Sequence, residues 1–98
     1  MGTYILLTKL TPDVTRDIKD REKIGKKWKD AVHRTCPEVK WSAHYALLGP
    51  YDFMDIFEAP SEEVAAKVSM ITLSTGASQT ESWTAIPYSR FLELVKEI

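Results

Sequence analysis

The chain has 98 residues, of which 44% are hydrophobic and 28% are charged, and its formal net charge is −1. This length and composition are typical of one globular domain spanning residues 1–98, and they exclude a disordered chain. The balanced charge provides no field that would attract nucleic acid or an anionic membrane, so we expect neither as a partner. With a lone Cys36 and no segment typical of export or membrane spanning, the sequence indicates a cytoplasmic protein.

The predicted elements begin with a strand and a helix. Residues 3–10 are rich in the β-branched and aromatic side chains of strands. Thr11 and Pro12 mark a helix start, because threonine caps free backbone amides and proline suits the first helical position. Helical spacing of apolar residues continues to about Thr35, with a kink or break expected between Asp20 and Gly25, where the spacing slips.

A β-hairpin and a second helix follow. Residues 39–48 and 53–58 are predicted strands, joined by a turn at residues 49–52 with the sequence Gly-Pro-Tyr-Asp. Ser61 is placed to cap a helix over residues 61–75, whose first turn carries two acids that complement the helix dipole.

The last predicted elements are a fourth strand and a C-terminal helix. Gly76 is placed to end the preceding helix in a left-handed conformation, and residues 78–86 alternate as a strand does. An amphipathic helix is expected from about residue 89. The order β-α-β-β-α-β predicts an α+β, ferredoxin-like fold, with an antiparallel sheet in the strand order 4-1-3-2 and both crossover helices on one face.

Those two helices can cover only one sheet face, so the hairpin side chains must be divided between two environments. A four-residue turn pairs Leu48 with Phe53, and alternation then gives two sets. The set expected under the helices comprises Ala43, Tyr45, Leu47, Met54 and Ile56. The set expected on the helix-free face comprises His44, Ala46, Leu48, Phe53, Asp55 and Phe57. Because its apolar members would form an exposed patch in a monomer, we expect this face to bind a second copy in a homodimer or higher homo-oligomer. The alternative is that the C-terminal helix covers this face, either within one subunit or on its neighbour.

A polar pair is the main candidate site. In this register Asp55 opposes Ala46, and His44 lies diagonally across the hairpin, about 7–8 Å away at the backbone. A carboxylate beside an imidazole suits hydrogen bonding or acid/base chemistry, so we predict a ligand cavity around this pair on the helix-free face. Further candidate ligand-binding residues are Tyr4, Thr8, Phe53, Phe57, Ser82 and Thr84. The alternative is that the two groups only satisfy each other or a partner's groups at the interface.

The hairpin turn and its flanks carry a family resemblance. The Gly-Pro-Tyr-Asp turn, the opening segment 4–11 and the Glu-Ala-Pro helix entry at residues 58–60 resemble the GYD family of small bacterial and archaeal proteins. The resemblance covers nearly the whole chain and implies a dimeric α+β barrel, a fold that also includes cofactor-free monooxygenases, muconolactone isomerases and effector-binding domains of transcription regulators. It implies no settled activity and no catalytic residue. The chain departs from the family at Asp55, where the third strand usually has an aliphatic residue.

The turn motif itself has a structural explanation. Gly49 would supply unusual backbone angles and Asp52 would accept amides of the turn, although the Tyr51 hydroxyl could lie at a pocket mouth. No metal-ligand spacing, nucleotide-binding loop or hydrolase motif occurs, so we expect no metal and no cofactor.

Three functions therefore remain open. The first is a small-molecule-binding or sensory homodimer without catalysis. The second is a cofactor-independent enzyme of monooxygenase or isomerase type that uses His44 and Asp55. The third is a purely structural oligomerisation module, whose interior would be filled by side chains and would hold no cavity.

Overall fold

The computed structural model describes residues 1–98. It has four strands and four helices in the predicted order, with the first crossover divided into two helices. The elements are β1 (Gly2–Leu10), α1 (Pro12–Arg16), α2 (Arg21–Thr35), β2 (Lys40–Ala46), β3 (Phe53–Ala59), α3 (Glu62–Ser74), β4 (Ala77–Ala85) and α4 (Tyr88–Lys96).

The four strands form one antiparallel sheet in the order β2-β3-β1-β4. This is the predicted order 4-1-3-2 read from the other edge, so the α+β, ferredoxin-like fold is confirmed. None of the helices combines the length and the apolar composition needed to cross a membrane.

The helix ends follow local sequence signals. Thr11 Oγ1 accepts a hydrogen bond from the Val14 amide at 3.4 Å at the start of α1, and Ser61 caps α3 in the same way. The interruption of the first crossover lies at residues 17–20, slightly earlier than expected. Gly76 follows α3 with a φ of +110°, a value that disfavours any side chain, as expected at this position.

The hydrophobic core lies between the sheet and its helices. Tyr4, Leu6 and Phe57 from the sheet form one buried cluster with Val32 of α2 and Val68 of α3. The Tyr4 and Phe57 rings stack with their centroids 5.7 Å apart. The helices therefore cover the face that carries the large aromatic residues of β1 and β3.

The predicted assignment of the hairpin to sheet faces was wrong. The set around His44 and Asp55 lies under the helices, on the same side as the core cluster. The register is also shifted by two residues, because Ala46 and not Leu48 pairs with Phe53. A shift of two leaves the strand residues in the same two sets, so only the sides were exchanged.

The helix-free face carries an apolar patch that is partly exposed to solvent. Tyr45 is 54% exposed and Trp83 is 50% exposed on this face. Their apolar neighbours on the same side of the sheet are Ile5, Leu7, Ala43, Met54 and Ile56. Helix α4 leaves its own large apolar side chains exposed and so does not cover this face within one chain.

Candidate functional site

His44 and Asp55 form a contact pair on neighbouring strands. They pair directly in the β2–β3 ladder because the connecting loop has six residues, 47–52, so Asp55 does not oppose Ala46 as predicted. His44 Nδ1 contacts Asp55 Oδ1 in a hydrogen bond. The Asp55 side chain is buried, whereas half of the His44 side chain is exposed. The pair is thus closer than predicted, and it lies on the opposite side of the sheet.

Burial sets the electrostatics of this pair. It raises the pKa of the Asp55 carboxyl above its usual value, while the hydrogen bond and charge of His44 oppose the rise. Lys29 of α2 opposes it more weakly. A buried carboxyl with a perturbed pKa and a basic neighbour is common at functional sites, although structural pairs share this property.

Aromatic rings hold the histidine in place. The His44 and Phe53 rings stack with their centroids 5.4 Å apart and 18° between their planes. The Trp28 ring lies 6.1 Å from the His44 ring, and its Nε1 donates a hydrogen bond to Thr72 Oγ1 at 2.8 Å. Because this bond joins α2 to α3, the indole has a fixed position beside the pair.

A cavity of about 230 Å³ opens next to the pair. It lies on the helix-covered face, between the C-terminal half of β1, the N-terminal half of α2 and the end of α3. Its lining includes Thr8, Arg21, Trp28, His44, Phe53 and Asp55. A partly apolar pocket with a few polar groups is the usual form of a small-molecule site. The predicted position of the cavity on the helix-free face is therefore wrong.

Two polar atoms in this lining are buried without a hydrogen-bond partner, Thr8 Oγ1 and Arg21 Nε. Thr8 is only 4% exposed. Arg21 forms no ion pair, and its Nη2 donates one long hydrogen bond, of 3.4 Å, to the Thr15 carbonyl oxygen. Buried polar groups normally have partners because an unpaired group costs free energy. Both groups can therefore donate to a ligand.

Half of the predicted site residues lie away from the cavity. Tyr4 and Phe57 belong to the packed core. Ser82 and Thr84 share the helix-covered face, but they lie on the edge strand β4 and border a separate depression. The cavity therefore brings together Thr8, His44, Phe53 and Asp55 and not the other four predicted residues.

The Gly-Pro-Tyr-Asp turn serves the fold. Asp52 Oδ2 accepts a hydrogen bond from the Leu10 amide at 2.8 Å, and the Asp52 amide donates to the Thr8 carbonyl oxygen at 2.8 Å. The loop is thereby attached to the end of β1, next to the cavity. Gly49 has no positive φ, and Tyr51 does not line this cavity.

Sequence reasoning missed the α2 side of the cavity. Arg21, Gly25 and Lys29 line it and recur every four residues, so they share one ridge of the helix. The sequence contained one signal for this side of the cavity. A glycine lies between two cationic residues on one ridge of the helix, and its missing side chain leaves a gap in the helix surface. A Cβ at Gly25 would meet no atom within 4 Å.

Known proteins share the length and the fold of this chain. A protein of Thermus thermophilus named glutamine synthetase and cystathionine beta-lyase binding protein is 33% identical over 97 residues, covering 98% of this chain and 100% of that protein. The crystal structure of TTHA0845 from the same species gives a TM-score of 0.59 at 21% identity, covering 89% and 95% of the two chains. The hypothetical protein PHS023 of Pyrococcus horikoshii gives 0.54 at 21% identity, covering 89% and 92%.

The family comparison agrees with the resemblance carried by the turn and its flanks. The family model described as GYD domain matches residues 4–95. This match covers nearly the whole chain. The chain therefore belongs to the GYD domain family.

Proposed function

We propose that the chain is a small-molecule-binding regulatory protein that works as a homodimer and associates with metabolic enzymes. The observation that carries this proposal is the cavity of about 230 Å³ beside the Asp55–His44 pair. Its volume is below the range of about 300–1,000 Å³ typical of drug-sized ligands, which favours a small metabolite. The cavity also counts against a purely structural module, whose interior would be filled.

Association with enzymes is supported by the Thermus thermophilus relative. That protein is named as a binding protein of glutamine synthetase and cystathionine beta-lyase, and it aligns with this chain over its full length at 33% identity. We extend this type of role to the present chain. Its partners would be glutamine synthetase, cystathionine beta-lyase or both, and the occupant of the cavity would regulate the association.

Self-association is supported by the helix-free face. A monomer would leave Tyr45 and Trp83 about half exposed and Ile5, Met54 and Ile56 between them partly exposed. A second copy can cover the patch by twofold stacking of the two sheets, because each copy presents the same surface. The exposed apolar side of α4 would extend this interface.

Light scattering at micromolar concentration tests the homodimer. We expect twice the chain mass for the wild type and a monomer for Ile56→Lys, which places a charge on the helix-free face. Met70→Lys is the matched control, because Met70 is an exposed residue of α3 on the other side of the molecule. A monomeric wild type would contradict the proposal.

The binding role is tested with the two enzymes and with a metabolite screen. We expect the immobilised chain to bind purified glutamine synthetase or cystathionine beta-lyase in biolayer interferometry. In a thermal-shift screen of acids, bases and neutral compounds, at least one should raise the Tm of the wild type and not that of Gly25→Leu, whose side chain adds bulk at the cavity wall. Failure to bind either enzyme, together with no shift or equal shifts in both proteins, would refute the proposal.

A cofactor-independent enzyme of monooxygenase or isomerase type is the second candidate. One observation favours it: His44 contacts Asp55 through Nδ1, which orients the ring and leaves Nε2 for proton transfer. A compound found in the screen would then be consumed by the wild type and spared by His44→Ala. Under the binding role it would be recovered unchanged from both proteins.

A further inference from the structure

We propose that the cavity binds a small organic carboxylate, whose carboxylate group is held by Arg21 and Thr8. This inference rests on the proposed function in one respect, namely that the cavity holds a ligand. It adds the chemical class of that ligand and the residues that select it.

The two unpartnered buried atoms define what the ligand must offer. Thr8 Oγ1 lies on β1 and Arg21 Nε lies at the start of α2, and both residues line the same cavity. A guanidinium has only donors, so the ligand must present an acceptor to Arg21. A carboxylate has two acceptor oxygens, which is enough for both donors and replaces the missing hydrogen bonds of both.

The charges along the wall favour an anion. The charged and titratable side chains of the lining are Arg21, Lys29, His44 and Asp55. Asp55 is engaged by His44 and is close enough to Lys29 for that lysine to affect its pKa. Arg21 is left with no carboxylate partner in the chain. A cationic ligand would have to displace His44 from Asp55 while facing two fixed positive charges, so an anion is preferred.

The remaining lining favours a carboxylate with an apolar body over a phosphate. A phosphate group presents three strong acceptor oxygens, whereas the cavity has two unpartnered buried donors. The rest of the wall includes the Trp28 and Phe53 rings and the aliphatic side chains of Leu10, Val14 and Ile24. These groups suit a ring or a branched chain attached to the carboxylate.

Phenylacetate and its neutral isostere phenylacetamide test this inference in a ¹H–¹⁵N NMR titration. The three tryptophans supply reporters, because Trp28 lines the cavity while Trp83 lies on the opposite sheet face. We expect phenylacetate to shift the Trp28 indole signal and the Thr8 amide signal and to leave the Trp83 indole signal in place. Phenylacetamide should bind at least about tenfold more weakly.

Charge variants identify the residue that holds the carboxylate. Arg21→Met should weaken phenylacetate binding about tenfold or more, and Arg21→Lys should retain part of the affinity. Arg34→Met is the matched control, because Arg34 is exposed on the same helix and does not line the cavity, and it should bind like the wild type. The dispersion of each spectrum shows that the variant is folded.

Three results would overturn the inference. If phenylacetamide shifts the Trp28 signal with the affinity of phenylacetate, the cavity is a ligand site that does not select charge. If inorganic phosphate binds with the same dependence on Arg21 and phenylacetate does not, the class of anion is wrong. If neither aromatic compound binds at millimolar concentration, the cavity does not take a small organic carboxylate and the inference is wrong. The proposed function is decided separately, by binding of the two enzymes and by the broad screen.

Discussion

The two ends of the layer between sheet and helices are built from the same strands, yet they are filled differently. At one end the Phe57 ring packs against the rings of Tyr4 and Trp41, with centroids 5.7 and 5.5 Å apart. At the other end β1 and β3 present Thr8 and Phe53, which border the cavity. The first end, which we call the filled end, maximises buried apolar contact. The second, which we call the cavity end, leaves open space and polar groups that do not contribute to packing.

This difference separates a packed region from the candidate site. The filled end has no unpartnered buried side-chain atom, whereas both such atoms of the chain lie at the cavity end. Local rules of packing and hydrogen bonding are normally broken where a protein binds something, because a ligand completes the arrangement. The following predictions test whether the two ends differ in this way.

The largest expected difference concerns one phenylalanine at each end. Phe57→Ala should lower the free energy of unfolding by about 3–5 kcal/mol, because Phe57 is fully buried and its removal creates a new cavity. Phe53→Ala should cost less than half as much, since Phe53 is only partly buried and already borders open space. Urea unfolding at one fixed protein concentration measures both. Equal losses would remove the distinction between the two ends.

Two glycines test the backbone and the space at the cavity end. Gly76→Ala should destabilise the fold by about 1–3 kcal/mol, because alanine is strained at this φ and its Cβ would lie 3.1 Å from Val14 Cγ2. Gly25→Ala should stabilise it by up to about 1 kcal/mol, since the added methyl meets no atom and alanine favours the helix. Thermal unfolding gives both values. A loss of stability in Gly25→Ala would show that the site is more crowded than described.

A smaller effect is expected from pH. Because the pKa of Asp55 is raised above its ordinary value of 3.8, the folded protein retains a proton that the unfolded chain has released. Stability therefore falls as pH rises from the unfolded pKa through the raised folded pKa. Asp55→Asn lacks this contribution. The free energy of unfolding of the wild type minus that of the variant should decrease across this window and then stay constant, whereas an increase with pH would contradict the direction of the shift.

Local signals in the sequence were sufficient for the element order and several helix ends. Thr11, Ser61 and Gly76 act within a few residues of chain, so their roles could be read from type and position. The sheet face on which each hairpin set lies could not be predicted from local signals, because both sets are apolar enough to be buried. What decides between them is how the aromatic set packs against Val32 and Val68, two residues far away in sequence.

The candidate site could also be predicted only in part, because some of its contacts join parts of the chain that are distant in sequence. Alternation along the strands put His44 and Asp55 on one face, but their direct pairing depends on a loop of six residues where a turn of four was predicted. The α2 contribution from Arg21 and Lys29 depends on where the helix lies over the sheet. Asp55 was identified as the departure from the family pattern, and it is buried at the cavity beside its one basic partner.

Thr8→Val is the most direct test of the claim that the cavity end is a binding site. Valine has the shape of threonine and suits a strand, and the substitution removes a buried hydroxyl that has no partner in the chain. If this hydroxyl serves a ligand, the free energy of unfolding of the ligand-free protein should rise by about 1 kcal/mol or more, while phenylacetate binding weakens. If instead the variant loses about 1 kcal/mol and binds phenylacetate like the wild type, Thr8 serves the fold and the claim is wrong.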